Sequence, residues 1–170
     1  MPRRDFDLRA LYEALDVQRS KRELSWVAVA DEVNRHRTTR RPIAASTSTG
    51  LRQKAIGEGD GILQMLLWLR RTPESFVPEF ADGHSARYVL PEPARGQILR
   101  WDTRALFVAL DTERRERRLT WAAVSREIGG FTPGMLTSLS KGGRIGFPRV
   151  MRLVRWLGRP AAAFTRIVDW

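Results

Sequence analysis

Part of this chain occurs twice. Phe6-Asp7-Leu8-Arg9-Ala10-Leu11-Tyr12 returns 95 positions later as Trp101-Asp102-Thr103-Arg104-Ala105-Leu106-Phe107, and the correspondence runs on to Val33 and Ile128, with 14 of 28 aligned positions identical. Further along the offset falls to 88: Thr49 aligns with Thr137, Leu51 with Leu139, Trp68-Leu69 with Trp156-Leu157, and Phe76 with Phe164. Copy one therefore carries seven additional residues within 34–44. A duplication with one insertion accounts for both offsets and organises the chain. A first domain is expected over residues 1–77, a linker over 78–100, and a second domain over 101–170. The linker holds Pro78, Gly83, Pro91, Pro93 and Gly96 without a helical apolar period, and its candidate extended piece is Tyr88-Val89-Leu90.

Composition narrows the chemistry. The 42% apolar content of 170 residues is enough to bury a core, in one domain or two small ones. With no cysteine, disulfides, thiolate nucleophiles and Cys-ligated zinc are excluded, and the cytoplasm is the expected compartment, with association to the nucleoid when DNA is bound. Neither a signal peptide nor a membrane-length apolar stretch is visible, so no membrane partner is expected. Thirty Lys and Arg against nineteen Asp and Glu give a formal charge of +11, a surface that favours polyanions. The charge is uneven: residues 1–85 hold 14 basic and 12 acidic side chains, whereas residues 86–170 hold 16 and 7.

Each copy reads as a bundle of four or five short helices, an all-α fold. Asp7 and Asp102 are placed to cap a first helix, running to about Arg22 and Arg117, by accepting its free N–H groups. Ser25 and Thr120 are placed to cap a second helix, on which Trp26, Val29, Ala30 and Val33, or Trp121, Val124, Ser125 and Ile128, recur at i, i+3, i+4 and i+7. Asn34 and Gly129 then stand where a left-handed capping residue would end it. Copy two restarts at once with Thr132 as cap and Pro133 at the first helical position. A further helix is expected at 147–156 in copy two and at 61–68 in copy one, capped there by Gly59 or Asp60. A last turn or short helix after Pro160 ends in Phe164.

The run from Thr120 to Gly129, then Thr132 to Leu139, then Lys141-Gly142, resembles the lambda-repressor-like (Cro/cI, XRE) helix-turn-helix family. Ser125, Gly129 and Leu136 supply the small residue, turn glycine and apolar residue where that family has them. The resemblance spans roughly 60 to 70 residues of each copy, although copy one has its turn stretched by the seven extra residues. It implies two helix-turn-helix units whose third helices enter the major groove of double-stranded DNA. By that resemblance, base readout falls to Thr132, Pro133, Gly134, Thr137 and Ser138 in copy two. In copy one it falls to Ala45, Ser46, Thr47, Thr49 and Gly50, with Arg52 and Gln53 at the next turn. Most of these side chains are short, so modest direct readout with weight on DNA shape and phosphates is expected.

The phosphate candidates are Lys141, Arg144, Arg149 and Arg152 in copy two and Lys54 in copy one. Arg35, Arg37, Arg40 and Arg41 of the insertion are further candidates, a basic arm suited to a phosphate backbone or narrow minor groove. The recurring tryptophans Trp26/Trp121 and Trp68/Trp156 lie on apolar faces and read as core, and the recurring Glu32 and Glu127 as partners of nearby arginines. Catalysis finds no footing. His36 and His84 are the only histidines, no carboxylates have metal-ligand spacing, and the run Gly57-Glu58-Gly59-Asp60-Gly61 lacks the Lys-Ser/Thr of a phosphate loop and reads as a turn before a helix. The expected function is therefore a sequence-preferring DNA-binding transcriptional regulator, in the direction of repression, without cofactor or metal. A homodimer or a protein partner stays open. The competing expectation is an antitoxin or adaptor in which one copy contacts protein.

Overall fold

The structure, a computed structural model, describes residues 5–35, 42–78 and 89–169. Copy one contributes α1 (Leu8–Lys21), α2 (Trp26–Asn34), α3 (Ala45–Gly50), the two-residue strand β1 (Gly57–Glu58), α4 (Gly59–Leu69) and a 3-10 turn (Pro73–Phe76). Then come β2 (Gln97–Trp101), α5 (Thr103–Glu116), α6 (Trp121–Ile128), α7 (Pro133–Ser138), β3 (Gly146–Phe147), α8 (Arg149–Leu157), a 3-10 turn (Ala161–Phe164) and β4 (Thr165–Asp169). The described residues are thus mainly helical, and none of their helices is long and apolar enough to cross a membrane.

The expected caps form. Asp7 accepts from the N–H groups of Arg9 and Ala10, Asp102 from Ala105, Ser25 from Ala28, and Thr120 from Ala123. Interactions between elements repeat with the sequence. The Asp7 N–H donates to Phe76 O at 3.0 Å, and its equivalent Asp102 to Phe164 O at 2.7 Å. The Trp68 indole donates to Glu32, which Arg22 pairs; the Trp156 indole donates to Glu127, which Arg117 pairs. Tyr12 stacks on Trp26 with ring centroids 5.5 Å apart, and Phe107 on Trp121 at 5.6 Å.

Between the copies, β1 and β3 pair antiparallel, Glu58 opposite Gly146 and Gly57 opposite Phe147. Glu58 and Gly146 are equivalent under the offset of 88, so a residue pairs with its own counterpart. That is the signature of a local two-fold axis, the arrangement of an isologous contact made within one chain. Contacts to either side obey it. Phe6 packs on Phe147 with centroids 4.5 Å apart, and the symmetry-related site sets Trp101, the counterpart of Phe6, against Gly59, the counterpart of Phe147. The larger indole is accommodated because the facing residue has no side chain. A Cβ on Gly59 would stand 2.1 Å from Ile145 O and 2.9 Å from the Trp101 ring. Buried Leu11, Leu15, Leu63 and Leu66 of copy one consequently belong to the same apolar cluster as Leu106, Leu110, Phe147 and Phe164 of copy two.

Several expectations are corrected. The fold is not purely α: β2 and β4 pair over five residues, from Gln97 opposite Asp169 to Trp101 opposite Thr165. Most of β2 lies in the stretch read as linker; of the expected extended piece, Val89 and Leu90 are coil, with Leu90 buried, and Tyr88 lies outside the described residues. Glu58, not Gly59 or Asp60, caps α4, accepting from the N–H groups of Asp60 and Gly61. Asp60 is occupied elsewhere: it accepts from the Trp101 N–H at 3.0 Å and faces Arg100 at 3.6 Å. Residues 147–148 fall to β3 and the turn before α8, because Phe147 joins the inter-copy pairing. Asn34 stays helical, while Gly129 takes the positive φ expected, at 74°.

Two predictions concern this junction. Replacing Gly59 with Ala forces backbone apart at the axis and is expected to cost about 1–3 kcal/mol in urea unfolding, whereas Gly143→Ala, which meets nothing within 4 Å, is near neutral. Glu74, 4% exposed, accepts from the Ala161 N–H across the copies and keeps one carboxylate oxygen without a hydrogen-bond partner. Burial raises its pKa, so the folded state holds this proton more tightly than the unfolded chain does, and ionisation becomes a penalty as pH rises past the ordinary glutamate value of about 4.3. Glu74→Gln is therefore expected to raise the thermal midpoint at pH 7, with the gain closing below about pH 4.

Candidate nucleic-acid interface

In copy two, α6 and α7 are separated by a tight turn. Gly129 and Gly130 both hold positive φ, and the Ser125 hydroxyl donates to Phe131 O, which ties the turn to the helix before it. Phe131 and Leu136 are buried, whereas Thr132, Pro133, Gly134, Thr137 and Ser138 are all exposed, so α7 lies on the body with its short polar face outward. Thr132 caps it by accepting from the Met135 N–H at 3.2 Å. Thr137 and Ser138 donate to carbonyls of their own helix, Gly134 O and Met135 O, which leaves their oxygen lone pairs available to outside donors.

Copy one builds the same helix in spite of its longer turn. The Asn34 side chain closes the insertion at its base, donating to Ile43 O at 2.7 Å and accepting from the Ile43 N–H at 2.9 Å. Helix α3 then covers the same six positions as α7 under the offset of 88, with Ser46 and Thr49 exposed and Ala45, Thr47 and Gly50 half-buried. It lacks a side-chain cap, because Ala44 stands where Thr132 does. Arg52, Gln53 and Lys54 follow on the exposed surface.

The cationic positions separate into two kinds. Lys141, Arg144 and Arg149 are exposed near or after α7. Arg152 is not available to a phosphate: it is half-buried, makes a two-point contact with Asp5 in which Nε lies 3.1 Å from Oδ1, and donates to Gly129 O at 3.2 Å. The Asp5 carboxylate raises the Arg152 pKa further, so this charge is spent on joining the copies. Arg35 is exposed but lies 3.7 Å from Glu32, and Arg37, Arg40, Arg41 and both histidines fall outside the described residues. Arg126 on α6 and Arg104, both exposed, lie outside the candidates read from sequence. Arg104, exposed on the first turn of α5, donates to Lys141 O at 3.4 Å and its side chain runs against Gly142, which places it beside the loop that follows α7. Its recurrence as Arg9 was visible, but nothing local ties it to residue 141.

Glu32 and Glu127 are structural anchors. The Trp68 indole N–H and then the Arg22 guanidinium hold the Glu32 carboxyl below its ordinary pKa, and Trp156 with Arg117 does the same for Glu127. Each keeps its tryptophan oriented between the first two helices and the last of its copy. Among the described residues no cluster of three His, Asp or Glu is placed to hold a metal ion. What the surface can do is present two short helices with hydroxyl and backbone groups outward, and, beside α7, a set of long cations.

Comparison of the chain with protein-family models, curated proteins and solved structures gives no match.

Arg152 and Arg144 separate structure from surface. Arg152→Ala is expected to lower stability to urea by about 1–2 kcal/mol through loss of the Asp5 contact, while Arg144→Ala leaves the unfolding curve unchanged within about 0.5 kcal/mol.

Proposed function

We propose that this chain is a sequence-preferring, double-stranded DNA-binding transcriptional regulator, acting as a repressor, in which each copy serves as a lambda-repressor-like helix-turn-helix unit. The observation that carries the proposal is the local two-fold pairing of β1 with β3 between two copies that each expose the same six-residue helix. Equivalent elements related by a two-fold axis face the same way along it, which is what reading one side of a duplex requires. Gly50 precedes Glu58 by eight residues, and Ser138 precedes Gly146 by eight, so each helix end lies within about 28 Å of the axis. That reach accommodates the spacing of roughly 34 Å between major-groove half-sites one turn apart. A single chain would then do the work of a symmetric dimer, with the second headpiece held at fixed geometry and not diffusing.

The exposed groups support a division of labour. Thr137 and Ser138, with Thr132 at the helix start, suit hydroxyl contacts to base edges and packing against thymine methyl groups, each of modest energy. Lys141, Arg144 and Arg149 suit phosphates, which fix register without reading sequence.

Selection of fragmented genomic DNA on the purified chain at physiological salt is expected to enrich a small set of fragments with two half-elements about one helical turn apart, and affinity for them should fall steeply with salt. Thr137→Ala should relax base preference within one half-element by about 1 kcal/mol and leave the salt dependence unchanged. Uniform weak recovery of all fragments would point instead to the antitoxin or adaptor reading, with a protein as the principal partner.

A further inference from the structure

The two copies share a fold but not a charge pattern, and the difference lies at the helices named above. From α6 to the first residue of α8, positions 121–149 carry four cations (Arg126, Lys141, Arg144, Arg149) and one carboxylate, Glu127. The equivalent positions of copy one, 26–34 and 42–61, carry two cations (Arg52, Lys54) and four carboxylates (Asp31, Glu32, Glu58, Asp60), while the insertion between them, which has no counterpart in copy two, adds Arg35, Arg37, Arg40 and Arg41. Position by position, Asp31 stands for Arg126, Gln53 for Lys141, Ile56 for Arg144 and Gly61 for Arg149. All four of these copy-two cations are exposed, so the difference is one of surface and not of core.

The flanking helices repeat the contrast. Arg9 on α1 is held by Glu13, Nε to Oε1 at 3.3 Å. Its counterpart Arg104 has Val108 in the place of Glu13, and reaches the loop after α7 through Lys141 O. An arginine that pairs along its own helix in one copy thus reaches the third-helix loop in the other.

Resting on the DNA-binding reading, we infer that the positions the two copies share grip a duplex unequally: copy two anchors, and Arg104, Arg126, Lys141, Arg144 and Arg149 make most of the phosphate contacts of those shared positions, apart from any made by the insertion of copy one. The half of the site under copy one is held through the rigid junction between copies, with α3 adding hydroxyl contacts and little charge. Because binding to phosphates releases counterions from the duplex, this asymmetry appears as a larger share of the salt dependence carried by Lys141, Arg144 and Arg149 than by Arg52 and Lys54.

The test uses the full chain and a mixed-sequence duplex of about 30 base pairs, three helical turns, so that no operator need be known. Binding is measured by fluorescence anisotropy across a salt series. Replacing Lys141, Arg144 and Arg149 together with Ala is expected to reduce the slope of log K against log salt by about 2 to 3 and to weaken binding at low salt by at least tenfold. Replacing Arg52 and Lys54 with Ala should change that slope by less than about 0.5. Arg144→Lys with Arg149→Lys should keep the slope of the unmodified chain, which separates lost charge from disturbed folding. Equal losses in the two sets, or a larger loss from the copy-one set, would overturn the asymmetry and leave DNA binding standing. Absence of salt-dependent binding by the unmodified chain would overturn both.

Discussion

Everything in this molecule is referred to four residues at one axis. Glu58 lies opposite its counterpart Gly146, with Gly57 and Phe147 beside them, and the hydrogen bond from Gly59 N to Ile145 O extends the pairing by one step. This ladder is too short to be stable alone. It is sustained by the side chains that close over it, Phe6 on Phe147 to one side and Trp101 on Gly59 to the other. The swap of a large and a small residue between symmetric sites keeps the packed volume while making the halves non-interchangeable. A separate copy one facing a second copy one would set Phe6 against Gly59 on both sides and leave space that Trp101 fills here. The junction also collects polar contacts. Gln64 donates to Leu99 O, Asp60 receives the Trp101 N–H, and Arg152 meets Asp5.

Much of this was legible in the sequence, for a physical reason: helices here are specified locally. Asp7, Ser25, Asp102, Thr120 and Thr132 cap the helices they were read to cap, since each is an oxygen-bearing side chain directly before an amphipathic run. The third helices fall at equivalent positions because the duplication preserved them, and the insertion left α3 in place because Asn34 pins Ile43. What escaped was nonlocal. Gln97–Trp101 and Thr165–Asp169 mix apolar and β-branched residues with Gln97, Arg100, Arg166 and Asp169 over five positions each, too short and too mixed to declare themselves until they meet across the length of copy two. Glu58 caps α4 in place of Asp60 because the Asp60 carboxylate is engaged across the copies by the Trp101 N–H, a contact no local pattern announces. Arg152 read as a surface cation like its neighbours, and only the fold brings it to Asp5.

The proposed function stands on arrangement more than on any one side chain. Two matching helices with small exposed residues give little direct readout individually, so their value lies in being held at one spacing and one orientation by a junction that buries Leu99, Trp101 and Phe147. Rigidity of this kind lowers the entropy lost on binding, because the second contact forms without a search. The uneven charge loads the body to one side, but phosphate contacts carry no sequence information, so any preferred direction along DNA would have to come from the differing exposed residues of α3 and α7.

Hydroxyl-radical footprinting of the intact chain on its best-selected fragment tests the central claim most directly. Two protected patches on one face of the duplex, centred about one helical turn apart, are the result expected of two third helices related by the β1–β3 axis. A single patch, or protection wrapping both faces without that spacing, would contradict it.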